Sequence, residues 1–250
     1  MDFDQFTKLA KIRINKKFKE VFSGPSFEEN LKKTIKEDKS PVTILDQFIS
    51  DELKMVLRPK LEKGYCFYSE EDHNQLTWPA IILDPIDGTK ELARGIGECT
   101  VSLAILKSPK EQEFCWLYNP FTGHELSTIQ EFCSPVDCFE GQLSGLVSRS
   151  EWKKGLYDNY DNENITLVPR GSIANKLGLL ASGACDFVVS RRPKGLWDIA
   201  AGTFLLWQRG FKLFVGNQEL SSLEELNYEE PLIWCRSSKD KQIVFNSLGL

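Results

Sequence analysis

The chain has 250 residues with 31 basic and 36 acidic side chains, a formal charge of -5, and 41% hydrophobic residues. That composition suits a soluble globular protein with a sizeable core. The acidic balance argues against a polymeric nucleic acid partner, yet leaves small phosphorylated metabolites open if bound cations reverse the local field.

Phe3, Phe6, Leu9, Ala10, Ile14, Phe18, Val21 and Phe22 recur at steps of three and four. This predicts an amphipathic first helix ended by Gly24-Pro25. Ser40-Pro41-Val42-Thr43 leads into a second helix with Leu45, Phe48, Ile49, Leu53, Val56 and Leu57 on its apolar face; Thr43 and Asp46 have capping-box spacing. Ile81-Ile82-Leu83, Thr100 to Leu106 and Phe114 to Tyr118 read as strands, with turn chemistry at Pro120-Phe121-Thr122-Gly123. Beyond Cys133 to Phe139, where periodicity lapses, the pattern alternates. Leu143 to Val147, Ile165 to Val168, Phe187 to Val189, Lys212 to Val215 and Leu232 to Cys235 read as extended. Ser172 to Ala181 and Trp197 to Trp207 read as helical.

No apolar run approaches the roughly 20 residues of a membrane span. The start Met1-Asp2-Phe3-Asp4 lacks secretory-signal features. Seven scattered cysteines fit reduced thiols better than a disulfide framework, and two histidines argue against histidine-based zinc chemistry. The expectation is a cytoplasmic protein without a membrane partner.

Three acidic blocks stand out. Asp84 and Asp87 flank Pro85-Ile86 directly after the apolar strand, followed by Gly88-Thr89. Proline restricts its neighbours, Gly88 permits a bend or close ligand approach, and Thr89 can open a helix. Two carboxylates beside a nest of backbone donors suit a hard cation and a phosphate. Glu70-Glu71-Asp72 precedes the same strand, and Asp198 opens a helix in the second half. Separated acidic sources are what metal-assisted phosphoryl transfer needs. Taken singly, each block also reads as a solvated surface triplet, a turn or a helix cap.

Together, Ser69-Glu70-Glu71-Asp72, Asp84 to Thr89 and Trp197-Asp198-Ile199-Ala200-Ala201-Gly202 resemble the inositol monophosphatase family. The resemblance spans nearly the full chain. It implies a layered αβαβα sugar-phosphatase fold of the α+β or α/β class. With the lapse of periodicity near Cys133 to Phe139 and the alternation beyond it, the expectation is an N-terminal α+β subdomain over 1–135 with most metal ligands, and a C-terminal α/β subdomain over 136–250 with Asp198 and the substrate pocket. By position, Glu70, Asp84, the Ile86 carbonyl, Asp87 and Asp198 match ligands for two or three Mg²⁺ ions. Asp46 and Thr89 match the pair that, with Glu70, activates the attacking water. Asp87 and the backbone donors of Gly88 and Thr89 match the phosphate cradle, and Lys36 matches a lysine beside the metals. The water would attack phosphorus in line without a phosphoenzyme. Lithium sensitivity and a homodimer are further family expectations.

Four stretches resemble the 3′(2′),5′-bisphosphate nucleotidase branch: Lys36 to Asp46, the Ser69 block, Asp87-Gly88-Thr89-Lys90-Glu91 with Gly97 to Val101, and Val147-Ser148-Arg149-Ser150. This implies removal of the 3′-phosphate of 3′-phosphoadenosine 5′-phosphate, with Ser148, Arg149, Lys176 and Arg191 as substrate contacts. Arg191 stands where an inositol-binding acid would sit, and a basic residue suits a second phosphate. Two features depart from this branch: Glu151 replaces a frequent histidine, and Gly171-Ser172 lies one residue farther from Lys176, as in the inositol branch; inositol, histidinol and sugar phosphates are the rival substrate readings. A non-catalytic phosphate-binding protein is the remaining alternative, though all the matched ligands are present.

Overall fold

The computed structural model describes residues 1–23, 27–35, 41–72, 75–131, 141–161 and 163–250. Lys36, Gly24-Pro25, Ser40 and the expected subdomain division near 135 lie outside them. In chain order the elements are α1 (Phe3–Phe22), α2 (Phe27–Leu31), β1 (Thr34–Ile35), β2 (Pro41–Val42), α3 (Ile44–Val56), α4 (Arg58–Leu61), β3 (Cys66–Ser69), β4 (Ala80–Asp87), α5 (Thr89–Leu92), β5 (Thr100–Ser108), β6 (Glu111–Tyr118) and β7 (Glu125–Ser127). Then follow β8 (Leu143–Ser148), α6 (Arg149–Trp152), β9 (Ile165–Arg170), α7 (Ile173–Ala181), β10 (Phe187–Ser190), β11 (Lys194–Gly195), α8 (Leu196–Gln208), β12 (Lys212–Val215), β13 (Gln218–Leu220), β14 (Asn227–Tyr228), β15 (Leu232–Cys235) and α9 (Ser238–Leu248).

Two mixed sheets organise the molecule, one in the order β3-β4-β5-β6-β7, the other β13-β12-β15-β10-β8-β9. Strand alternation assigns their faces. On β4, Ile81 and Leu83 pack with Phe6, Ile14, Ile49 and Leu53 from α1 and α3. Ala80 and Ile82 turn the other way, to Leu177, Ala200 and Phe204 of α7 and α8. Those two helices also meet Leu146, Val188 and Trp234 of the second sheet. The far face of that sheet buries Phe187, Val189 and Ile233 against Val244 and Leu248 of α9. The layers are therefore αβαβα. α8 is apolar nearly all round because it lies between two sheets. Gly202 permits its approach to α7, since a Cβ there would stand 2.7 Å from that of Leu177.

Asp2 caps α1 and Thr43 caps α3, each through a side-chain oxygen. Two expectations need correction. Leu9, placed on the buried face of α1, is 40% exposed. The Asp84 to Asp87 segment does not follow the apolar strand but continues it, with a register shift opposite β5 between Asp84 and Asp87. Pro85 has no N–H for a ladder bond, so the pairing skips there. Also, β3 and α9 carry no strong periodic signal: β3 is four residues long, and α9 is polar on average.

Candidate active site

The strand directions bring the site together. β9 and β10 both run parallel to β8, so the three carboxyl ends lie at one edge of the sheet. Ser148, Gly171-Ser172 and Ser190 thus reach one cavity from three strands. The end of β4 supplies Asp84, Ile86 and Asp87, continued by Gly88 and Thr89, and Glu70 enters just after β3. Asp198 enters from the first turn of α8. The Ser102 hydroxyl on β5 donates to the Trp197 carbonyl at 3.3 Å, tying that turn to the first sheet.

Asp84, Asp87 and Asp198 each place a carboxylate oxygen within 4.8 Å of the others, and their arrangement can hold a metal ion. Asp84 is buried, and among the described residues its Oδ1 has no hydrogen-bond partner. Burial, followed by the charges of Glu70, Asp87, Asp198 and Asp46, pushes its carboxyl well above the ordinary range. Burial and then Asp87 push Asp198 up to about 7. Such crowding is costly unless a cation or protons neutralise it. An orphaned buried carboxylate oxygen among hard oxygen donors fits Mg²⁺.

Asp87 is held from the second half of the chain. Its Oδ2 accepts from the Ser172 hydroxyl at 2.6 Å and the Ala174 N–H at 2.5 Å. Ser172, the cap of α7, has φ 58° and ψ 121°, a strained backbone for serine. Gly88 has φ 98°, and a Cβ there would stand 2.6 Å from the Glu98 carbonyl oxygen. Only glycine fits that bend. Asp46 lies behind Thr89, 1% exposed. Its Oδ2 accepts from the Thr43 N–H and hydroxyl at 2.7 and 2.5 Å, and Oδ1 stands 3.2 Å from the Thr89 hydroxyl. Burial raises Asp46 to about 6. The carboxylate therefore caps α3 and faces Thr89 at once.

The basic residues separate into two sets. Lys176 lines the cavity, 3% exposed, donating to the Ser172 carbonyl at 2.9 Å, and burial lowers its pKa to about 8. Lys90 and Lys194 also line it; neither was singled out from the sequence. Arg149 and Arg191, expected as substrate contacts, do not line it. Arg149 pairs with Glu98. Arg191 donates to the Leu156 carbonyl and lies 5.7 Å from the Tyr157 ring centroid. In both cases a partner inside the protein draws the guanidinium away. Glu98 also accepts from the Gly171 N–H at 2.5 Å. Glu91 and Ser150, which lie in the stretches resembling the nucleotidase branch but were given no role, also line the cavity, as does Ser190, which carried no sequence signal. They are distant in the chain, and only sheet order assembles them.

The profile of the Inositol monophosphatase family matches residues 2–242. A 3′(2′),5′-bisphosphate nucleotidase CysQ of Aggregatibacter actinomycetemcomitans is 24% identical over 212 residues, covering 75% of this chain and 77% of the relative. A fructose-1,6-bisphosphatase/inositol-1-monophosphatase of Archaeoglobus fulgidus is 29% identical over 165 residues, covering 59% and 62%. In fold, the chain is similar to an IMPase of Thermotoga maritima, with a TM-score of 0.77 at 18% identity, covering 100% of this chain and 97% of that one. No helix among the described residues is long and apolar enough to cross a membrane.

Proposed function

The chain belongs to the inositol monophosphatase family of metal-dependent phosphatases, and from that membership and the cavity's geometry we propose that it removes the 3′-phosphate of 3′-phosphoadenosine 5′-phosphate. The observation that carries the phosphatase chemistry is the buried Asp84: its Oδ1 has no hydrogen-bond partner among the described residues, and one of its carboxylate oxygens lies within 4.8 Å of oxygens of Asp87 and Asp198. Glu70, Asp84, the Ile86 carbonyl, Asp87 and Asp198 would hold the metal. Bound Mg²⁺ would supply a Lewis acid for phosphoryl oxygens and make a water more acidic. The protein's own residues do the rest. Asp46, through the Thr89 hydroxyl, accepts the proton of the attacking water. The Gly88 and Thr89 amides orient the phosphate. Lys176, with Lys90 and Lys194 on the same cavity, offers cations to a second anionic group.

The nucleotide assignment draws its support from the CysQ relatives and from these lysines. A second reading, a sugar or inositol phosphate, is favoured by one observation: Arg149 and Arg191 are engaged away from the cavity. A phosphate-release panel with Mg²⁺ separates them, using 3′-phosphoadenosine 5′-phosphate, inositol 1-phosphate, histidinol phosphate and fructose 1,6-bisphosphate. The nucleotide should lead by about tenfold in kcat/KM, some 1.4 kcal/mol of transition-state binding. Preference for another member of the panel would reassign the substrate. No release from any of them would remove the enzymatic reading.

A further inference from the structure

Outside the metal-facing cluster lies a second carboxylate that the hydrolytic step does not use. Glu151, in α6, is 1% exposed. Its Oε2 accepts from the Tyr157 hydroxyl at 2.6 Å and the Arg191 N–H at 3.3 Å. Its Oε1 accepts from the Arg192 N–H at 3.1 Å and stands 3.4 Å from the Ser190 hydroxyl. Ser190, Arg191 and Arg192 are the consecutive residues by which the chain leaves β10. A tie also runs the other way: the Arg191 guanidinium donates to the Leu156 carbonyl and lies over the Tyr157 ring. The segment after β10 is thus gripped by its backbone and grips in return.

That segment is a wall of the cavity. Ser190 lines it at one end and Lys194 at the other, and the chain then enters α8 and reaches Asp198. A buried carboxylate is a costly fastener, since apolar packing would join the same elements without desolvating a charge. What the carboxylate adds is direction: its two oxygens fix two successive amides, and charge-assisted bonds of this kind are strong and geometrically specific. We propose that Glu151 is a positioning residue that sets the substrate-side wall of the cavity through Ser190 to Arg192, governing affinity for the non-reacting part of the substrate rather than the hydrolytic step. The proposal rests on the phosphatase reading of the cavity.

The test combines kinetics with amide hydrogen exchange on Glu151→Ala, Glu151→Gln, Arg191→Ala and the Glu151→Ala/Arg191→Ala pair. With 3′-phosphoadenosine 5′-phosphate as the probe, Glu151→Ala raises KM about tenfold or more while kcat stays within about threefold. Glu151→Gln, which keeps one acceptor, lies between. Exchange at the Arg191 and Arg192 amides accelerates about tenfold or more in Glu151→Ala, with the Val188 amide in β10 unaffected. Adding Arg191→Ala to Glu151→Ala costs little further in KM, because both loosen one segment. Three results overturn the proposal: unchanged exchange at Arg191 and Arg192; a fall in kcat as large as that in kcat/KM; or fully multiplicative KM effects, which make Arg191 a direct contact. If Glu151→Ala does not fold, Tyr157→Phe withdraws one donor from the same carboxylate, and the same pattern is expected at smaller size. A wild-type protein that releases no phosphate defeats the phosphatase reading alone, and exchange then decides whether Glu151 holds the segment.

Discussion

The Thr89 hydroxyl stands 3.2 Å from Asp46 Oδ1 and 2.9 Å from the Ile86 carbonyl oxygen, so its single proton serves one acceptor at a time. When it serves Asp46, it joins a strand end to a helix start 43 positions away; in the proposed mechanism this pair would be the proton path, and the Ile86 carbonyl would keep its lone pairs for a cation. The other Asp46 oxygen remains bound to Thr43.

This division of labour separates stability from turnover. Thr89→Ala is expected to lower kcat by roughly 10²- to 10⁴-fold, the range for general acid–base catalysis, because it removes the hydroxyl through which Asp46 takes the proton. Thr43→Ala is expected to cost about 1 kcal/mol as a lost cap while sparing most of kcat. Denaturant melts and steady-state kinetics on the two variants check it; similar kcat losses from both would show that the cap, not the proton path, matters.

Asp84 should dominate metal affinity. A ligand that binds only the native state at a hundredfold its Kd adds about 2.7 kcal/mol of stability. Saturating Mg²⁺ should therefore raise the melting temperature of the wild type, and Asp84→Asn should abolish the rise along with phosphate release. Isothermal titration with Mg²⁺ measures the same loss directly. Normal Mg²⁺ binding and near-normal phosphate release by Asp84→Asn would remove that aspartate from the metal site.

Lys176 imposes a pH signature on stability. Its folded pKa, lowered by burial to about 8, lies below the ordinary 10.5. Between these values the unfolded chain holds the proton more tightly, so stability from this group rises with pH from about 8 to 10.5. Below pH 8 the penalty is fully present, of order 3 kcal/mol before the carbonyl bonds of its ammonium group are counted. Lys176→Met should be more stable than wild type at pH 7, lose that slope, and raise KM for 3′-phosphoadenosine 5′-phosphate. Urea midpoints at pH 7, 9 and 10 test the sign.

Gly88→Ala should be more damaging than a surface substitution. The added methyl meets the Glu98 carbonyl at 2.6 Å and the backbone φ is 98°. A loss of roughly 1–3 kcal/mol is expected from the strain, together with reduced phosphate release because the bend presents Thr89. Thermal melts and activity at a temperature well below the transition distinguish the two effects.

Much of the layered fold could be read from short-range signals. The period of α1, the cap at Thr43 and the apolar runs of β4 and β5 are local, and the structure contains each. The resemblance carried by the Glu70, Asp84 and Asp198 blocks pointed to the αβαβα layering. The short β3 and the polar α9 were not legible, because pairing with β4 and packing beneath the second sheet create them. Leu9 shows the opposite failure, a residue on the right period that the neighbouring elements leave uncovered.

The sequence pointed to the chemistry through the order of its motifs: Glu70, the Asp84 to Thr89 run and Asp198, each open by itself to a reading as surface, turn or cap, together resemble the metal-dependent inositol monophosphatase family. Tertiary structure alone decided which basic residues face that centre. Arg149, Lys176 and Arg191 were the expected basic contacts; Lys176 lines the cavity, Glu98 and the Leu156 carbonyl hold the two arginines aside, and Lys90 and Lys194 come to it instead. The reason is physical. A ligand motif within six residues is set by local backbone geometry, whereas the direction of a long cationic side chain depends on which buried acceptor the fold brings nearest.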